Sequence, residues 1–335
     1  MALKDVAQHV GVSVALVSYV LNGKEKEARV GADMVKKIRK AAIELNYQPN
    51  LIAKSLKMGK TKTIGLIVAD ISNPFFSSIA RIIEDEAKKH GYVVIFGSSD
   101  ENADKQLNLI DVFSTRLVDA FIIAPAAGTE DQIESIIQRN IPVILIDRFF
   151  PGLNADTVHI NNCNASNKAV KQLIKNNRKR IGMVAYATTQ SHMQERILGY
   201  KQALKEKNIR FKKDWLIQAN YQHIEKDIAT KLKAILKPLQ IDALFFATNS
   251  LAVVGLKEIN KLKIKVPEEL AIISFDESDA FDFFYSPVSY VSQSLTDIGK
   301  EAIKLVINRL HGKSKKNTDV IVEAKLIVRE SCGSI

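Results

Sequence analysis

Four short apolar runs of this chain end in side chains able to hold a polar ligand: Ala69-Asp70, Asp147-Arg148, Thr248-Asn249 and Asp276-Glu277. Carboxylates accept hydrogen bonds, a guanidinium donates several, and hydroxyl and amide groups do both, so the set could hold a polar ligand. The acids Asp276, Glu277, Asp279 and Asp282 could also hold a hard cation, although acids on a loop after a strand more often cap helices. Catalysis finds no comparable support. There is no G-x-G-x-x-G after the first strand, no G-x-S-x-G and no H-E-x-x-H. Gly59-Lys60-Thr61 is the tail of a phosphate loop, but Lys54 stands where that motif needs its first glycine, so the backbone cradle is missing. Cys163 and Cys332 are too few for a disulfide framework or a cysteine zinc site. Neither an enzyme nor a bound cofactor or metal is expected.

A second kind of chemistry resides in Ser13 to Gly23, SVALVSYVLNG. Ser13 is a good N-cap and Asn22-Gly23 a good stop, so the stretch predicts a short helix. At 100° per residue Leu16, Val17, Val20, Leu21 and Val14 share an arc and are expected to pack on neighbouring helices. Ala15, Ser18, Tyr19 and Asn22 form the opposite face, with Val14 at its edge. Such a face can lie in a DNA groove. Tyr19 offers a hydroxyl and a ring, and Val14 and Ala15 can touch thymine methyls.

The elements that would position these groups follow from periodicity. Leu3, Val6, Ala7 and Val10 recur as on a one-sided helix that Gly11 ends, and Ala32 to Leu45 repeats the pattern. Three helices with a short Gly-containing turn make a helix-turn-helix headpiece over residues 1–48. Residues 49–61 form a lysine-rich linker in which Ile52 and Leu56 stand four apart; so short a helix is marginal in water and folds only when held. From Thr63 apolar strands alternate with amphipathic helices, and the pattern restarts at RIGMVAY. This predicts an α/β core, residues 62–335, of two doubly wound parallel-sheet lobes: one of about 62–160 and 292–320, the other of about 161–291 and 321–335. Ligands of such sheets bind beyond the carboxyl ends of the strands, where the four polar pairs could face one cleft.

Charge distribution fits a polyanion partner. Residues 1–62 carry 12 Lys/Arg against 5 Asp/Glu, most of the net +11 of the 335-residue chain. Neutralising phosphates releases condensed counterions, which favours nucleic acid as partner. With 46% hydrophobic and 25% charged residues the composition is that of a globular protein. The absence of a secretory pattern at MALKDVAQHV, and of any membrane-length apolar run, predicts a cytoplasmic protein that does not enter a membrane.

DVAQHVGVS, VSYVLNG, LNYQPNLIAKSL, IGLIVADISNPFF, ERILGY and SFDE, in this order and across essentially the whole chain, resemble the LacI/GalR family of bacterial transcriptional repressors. The resemblance implies a homodimer whose two headpieces read a pseudo-palindromic double-stranded DNA operator. It also implies a core like that of type I periplasmic sugar-binding proteins, holding a small effector. The second helix would enter the major groove, and the linker would pair with its mate as a hinge helix. Leu56 would then wedge into the minor groove beside Asn50 and Ala53. In the core, the resemblance assigns Phe75 and Phe76 to the first ligand-facing loop, and Asp147, Arg148, Arg196, Tyr221, Thr248 and Asp276 to the cleft. A sugar or sugar derivative is the expected effector, with a purine-type co-repressor as the alternative. A cytosolic sugar-binding protein without a DNA role is the competing reading, which the basic headpiece opposes. Three departures stand out: Tyr19 where most relatives have Arg, Thr248 where many have Asn, and a longer loop, KEKEARVG, after the recognition helix. The chain ends at VRESCGSI without the heptad helix that builds tetramers in the family, so a dimer is expected.

Overall fold

Val6, Ala7 and Val10 on one face of α1 (Leu3–Val10) meet Val17 and Val20 of α2 (Val14–Leu21) and Ile38, Ala41 and Ala42 of α3 (Ala32–Glu44), forming a closed three-helix core. Gly11 ends α1 at φ 78°, a left-handed conformation that residues with a Cβ rarely adopt. Ser13 caps α2, its Oγ accepting from the Leu16 N–H at 3.2 Å. Val14 departs from the sequence expectation: it is 46% exposed and does not pack with the other helices. It lies roughly 90° around the helix from the direction shared by Val17 and Val20, which the helical wheel blurred. The loop after α2 is folded back on itself, Lys24 donating to Tyr19 O and Val30 to Glu25 O, and Arg39 of α3 ties it down through Glu25 at 2.8 Å.

The structure, a computed structural model, describes residues 1–47, 59–237, 240–313 and 316–333. It divides into two units, Met1–Thr61 and Lys62–Ile335. The linker positions Asn50, Ala53 and Leu56 lie outside the described residues. Among the described residues no helix is long and apolar enough to cross a membrane.

The larger unit opens with β1 (Thr63–Val68), α4 (Pro74–Lys89), β2 (Val93–Ser98), α5 (Ala103–Thr115), β3 (Ala120–Ile123), α6 (Glu130–Gln138), β4 (Val143–Ile146) and β5 (Asp156–Ile160). It continues in a second lobe with α7 (Asn162–Lys175), β6 (Ile181–Tyr186), α8 (Ser191–Glu206), β7 (Leu216–Ala219), α9 (Ile224–Leu236), β8 (Ala243–Phe246), α10 (Asn249–Lys261), β9 (Ala271–Phe275), the short α11 (Ala280–Phe283) and β10 (Ser289–Gln293). The chain then returns through α12 (Leu295–Leu310) and β11 (Asp319–Val322), and ends with β12 (Ala324–Ile327). The first sheet has the order β11-β5-β4-β3-β1-β2 and the second β12-β10-β9-β8-β6-β7. Strands β3, β4, β8 and β9 are buried along their whole length, as parallel strands covered on both faces must be.

Two features of the core differ from the expectation. The lobe boundaries move: Ser292 and Gln293 still pair with Lys325 and Ala324, so the chain leaves the second lobe at Ser294 and not at residue 292. Likewise Ile321 and Val322 pair with His159 and Ile160, which keeps the first lobe to residue 322. The second sheet is also not purely parallel, because β12 runs antiparallel to β10. Only Glu323 separates β11 from β12. A chain leaving one sheet at the carboxyl end of its strands, with one residue to spare, enters the facing sheet from the corresponding end and runs against its strands. The lobes are thus joined three times, at residues 161, 294 and 323, each time directly after a strand.

Candidate functional site

Asp147 and Asp276 occupy equivalent places at the ends of β4 and β9, and both have left-handed backbones, φ 64° and 63°. Each backbone N–H donates across to the neighbouring strand, Asp147 to Val158 O and Asp276 to Val291 O, both at 3.0 Å. A conformation costly for a residue with a Cβ, held in place by the sheet and repeated in both lobes, turns each carboxylate into the space between the sheets. There the side chains meet buried cations. Arg148 grips Glu101 with both terminal nitrogens at 2.6 Å and leaves its Nε, 3.4 Å from Asp147 Oδ2, without a hydrogen bond. Arg196 donates from Nε to Asn162 at 2.8 Å and from Nη1 to Ala247 O at 2.7 Å. Its Nη1 lies 3.7 Å from Asp276 Oδ2, and its guanidinium stacks 3.6 Å over the Phe275 ring.

Gly199 makes this placement of Arg196 possible. A Cβ there would lie 2.1 Å from the Cys163 carbonyl oxygen, so only glycine lets α8 cross α7 this closely. One helical turn before Arg196, the same face presents His192, whose Nδ1 is buried without a partner and whose burial holds it neutral, well below the usual imidazole range. Burial also raises both aspartates, against the pull of the nearby arginines, and takes Asp276 to about 6. Gln293 Nε2 donates to Asp276 Oδ1 at 2.6 Å.

All eight sequence-derived core residues converge on one cavity of about 200 Å³ between the lobes: Phe75, Phe76, Asp147, Arg148, Arg196, Tyr221, Thr248 and Asp276. Phe75 and Phe76 lie in the first turn of α4 and not on the loop before it. The reason is local, since Asn73 caps the helix through the Phe75 N–H and Pro74 takes its first position. The two rings meet edge to face with centroids 4.9 Å apart, and Phe76 faces the Arg148 guanidinium at 5.7 Å. Thr248 has a double position, capping α10 through the Leu251 N–H while bordering the cavity. Tyr221 stands on a short 3-10 turn, and its hydroxyl donates to Asp70 Oδ2 at 2.7 Å across the cleft. Four more contacts span the lobes: Gln190 to Pro125 O and to Glu101 Oε2, Ser191 to Phe149 O and Asn249 to Asn73 Oδ1, at 3.2, 3.5, 3.0 and 3.4 Å.

Sequence reasoning missed Glu101, Tyr186, Gln190, His192 and Gln293 as wall residues. Two carried a usable signal. His192 precedes Arg196 by one turn of the same helix, and Glu101 follows a strand end just as Asp70 does. The acidic cluster disperses: Asp276 turns to Arg196 and Gln293, while Asp282 pairs with Arg329. Among the described residues no group of three or more His, Cys, Asp or Glu could hold a metal ion.

On the headpiece, Ala15 and Tyr19 are exposed and Ser18 is half-buried, forming a small polar face on α2 beside the exposed Val14. Asn22 is exposed too, but its amide nitrogen donates to Ser18 O at 2.8 Å and so closes the helix end.

Residues 2–50 match the family profile described as "Bacterial regulatory proteins, lacI family", and residues 170–332 match the periplasmic binding protein-like domain. The chain is 31% identical over 335 residues to the HTH-type transcriptional repressor CytR of Escherichia coli (strain K12), which covers 99% of this chain and 96% of the relative. Its fold is similar to that of the lac repressor dimer bound to operator and the anti-inducer ONPF, with a TM-score of 0.87, 18% identity and 99% of each chain covered. A complex of the transcriptional regulator CelR with cellobiose matches with a TM-score of 0.73 and 22% identity, again over 99% of each chain.

Proposed function

This chain belongs to the LacI/GalR family of bacterial transcriptional repressors, and on that premise we propose how its own residues divide the work. It is a DNA-binding regulator and not an enzyme. Two copies pair on a pseudo-palindromic operator, each placing α2 in the major groove with Val14, Ala15, Ser18 and Tyr19 toward the bases. Asn22 contributes its side-chain oxygen at the edge of that face. The linker positions Asn50, Ala53 and Leu56 bend and wedge the minor groove between the half-sites. A small effector, a sugar or sugar derivative, binds between the lobes and sets operator affinity by changing how they close. A repressor acts where its operator is, which assigns it to the cytoplasm.

The observation that carries the effector reading is the convergence of Asp147, Asp276, Arg148, Arg196 and two phenylalanines on one cavity at paired strand ends. Carboxylates and guanidinium groups bracket hydroxyls, and aromatic rings cover the apolar face of a sugar ring. The cavity must respond to closure, because Tyr221, Gln190 and Asn249 reach across it to the opposite lobe. A ligand that prefers one degree of closure shifts the whole equilibrium by its differential affinity.

The test is binding of the intact chain to operators selected from random DNA, measured with and without sugars, and repeated after removing residues 1–61. The expected outcome is that specific binding disappears with the headpiece while sugar binding by the remaining core persists. Specific DNA binding by the truncated core would sink the division of labour.

A further inference from the structure

Beside the main cleft lies a second cavity of about 190 Å³, bordered by Glu277, Ser278 and Asp279. The two spaces share Phe75, Asp276 and Gln293 as a common wall. What that wall offers a ligand is hydrogen-bond acceptance. Gln293 is 7% exposed and commits its nitrogen to Asp276 Oδ1, which leaves its Oε1 buried without a partner. Reversing the amide would set two oxygens against each other, so the orientation is fixed by Asp276. Asp276 Oδ2 is 3.7 Å from Arg196, beyond hydrogen-bonding distance. Glu277 and Asp279 are exposed, and among the described residues no basic side chain pairs with either.

The main cleft has the same bias. It is lined by Asp70, Glu101, Asp147 and Asp276 against Arg148 and Arg196. Arg148 has given its terminal nitrogens to Glu101, and Arg196 has given Nε and Nη1 to Asn162 and Ala247 O. A phosphate or carboxylate entering here meets four carboxylates against two guanidinium groups, most of whose hydrogen bonds already go to protein acceptors. Where the two cavities meet, the Asp276 and Glu277 carboxylates and the unpartnered Gln293 Oε1 all accept, and an ammonium, with three donors and no acceptor, is their complement.

We propose that the effector is an amino-substituted sugar or polyol whose ammonium group sits between Asp276, Gln293 and Glu277, where the two cavities meet. The proposal rests on the reading of the cleft as an effector site and narrows it to a ligand class, excluding phosphorylated sugars. Asp279 adds a longer-range attraction at the mouth, which salt weakens.

The test uses the full chain and calorimetric titration at pH 7.5 with ribose, glucose, galactose and cellobiose, each beside its amino-substituted and phosphorylated counterparts. The expected result is that one amino sugar binds about tenfold tighter than its neutral parent, a discrimination typical of one partly desolvated charge contact. Its phosphorylated counterpart does not bind. In the Glu277→Gln/Asp279→Asn double variant the amino-to-neutral ratio falls toward one. The ratio is the readout, so a general loss of folding or affinity cannot imitate the effect. Equal binding of neutral and amino members, or tightest binding of a phosphorylated one, overturns the inference and leaves the effector reading standing. If no member of the panel binds, the carbohydrate reading falls and the inference falls with it.

Discussion

Tyr19 is 46% exposed on the face of α2 proposed to enter the major groove, where an arginine would reach guanine with two parallel hydrogen bonds. One hydroxyl and a ring discriminate less, so the half-site is expected to be richer in A·T pairs and to depend more on DNA deformability at the hinge. Tyr19→Arg should add a guanine preference at one position of each half-site, worth about 1–3 kcal/mol, visible in selection from random DNA. Unchanged preferences would remove Tyr19 from the reading face. In the core, burial lifts the Asp276 carboxyl to about 6. Between the ordinary carboxylate range and pH 6 the native state therefore keeps a proton that the unfolded chain releases, so stability from this residue falls as pH rises through that window. Effector donors favour the ionised carboxylate, so affinity should climb with pH through about 6 and then level. Asp276→Asn should flatten that rise in a titration series, with Arg196, Gln293, Asp147 and Glu277 still surrounding the position.

At the scale of elements, one helix crossing and one helix cap hold the functional groups in place. Gly199→Ala would force α8 off α7 at the Cys163 carbonyl, an overpacking cost of about 1–3 kcal/mol, and would move Arg196 and His192 with the helix. Thermal melting of the core should drop, and effector binding should weaken beyond what the melting shift explains. Ser13→Ala removes the cap of α2 and should cost the headpiece about 1 kcal/mol, weakening operator binding while leaving effector binding intact. Much of this scaffold was legible in the chain. The spacing of Val6, Ala7 and Val10 and the break at Gly11 define α1, and the strand-helix alternation places Asp147 and Asp276 at strand ends, because these are local signals. Gln293 was illegible as a cleft residue for the opposite reason. It is oriented there only through a partner at the end of another strand, Asp276. The direction of β12 depends on the single residue Glu323 and the facing of two sheets, which no periodicity encodes.

For the effector core as a whole, closure is opposed or favoured by a handful of contacts. The Tyr221 hydroxyl on Asp70 is the shorter of two made to a carboxylate, the other being Gln190 on Glu101, and hydrogen bonds to charged groups contribute about 1.5–3 kcal/mol. Tyr221→Phe should therefore shift the ligand-free core toward open forms by about tenfold or more, measured as a larger radius of gyration in solution scattering. An unchanged radius would show that closure is set elsewhere. The three interlobe links at residues 161, 294 and 323 bear on what any ligand can do to this molecule. Three short strands of chain crossing side by side act as a door frame: they resist sliding and twisting and leave one rotation soft. Binding energy from chemically unrelated ligands is thereby channelled into a single coordinate. The cleft walls can accordingly be rewritten for a new molecule while the output stays the same, so altered ligand choice and an intact response should be separable by mutation.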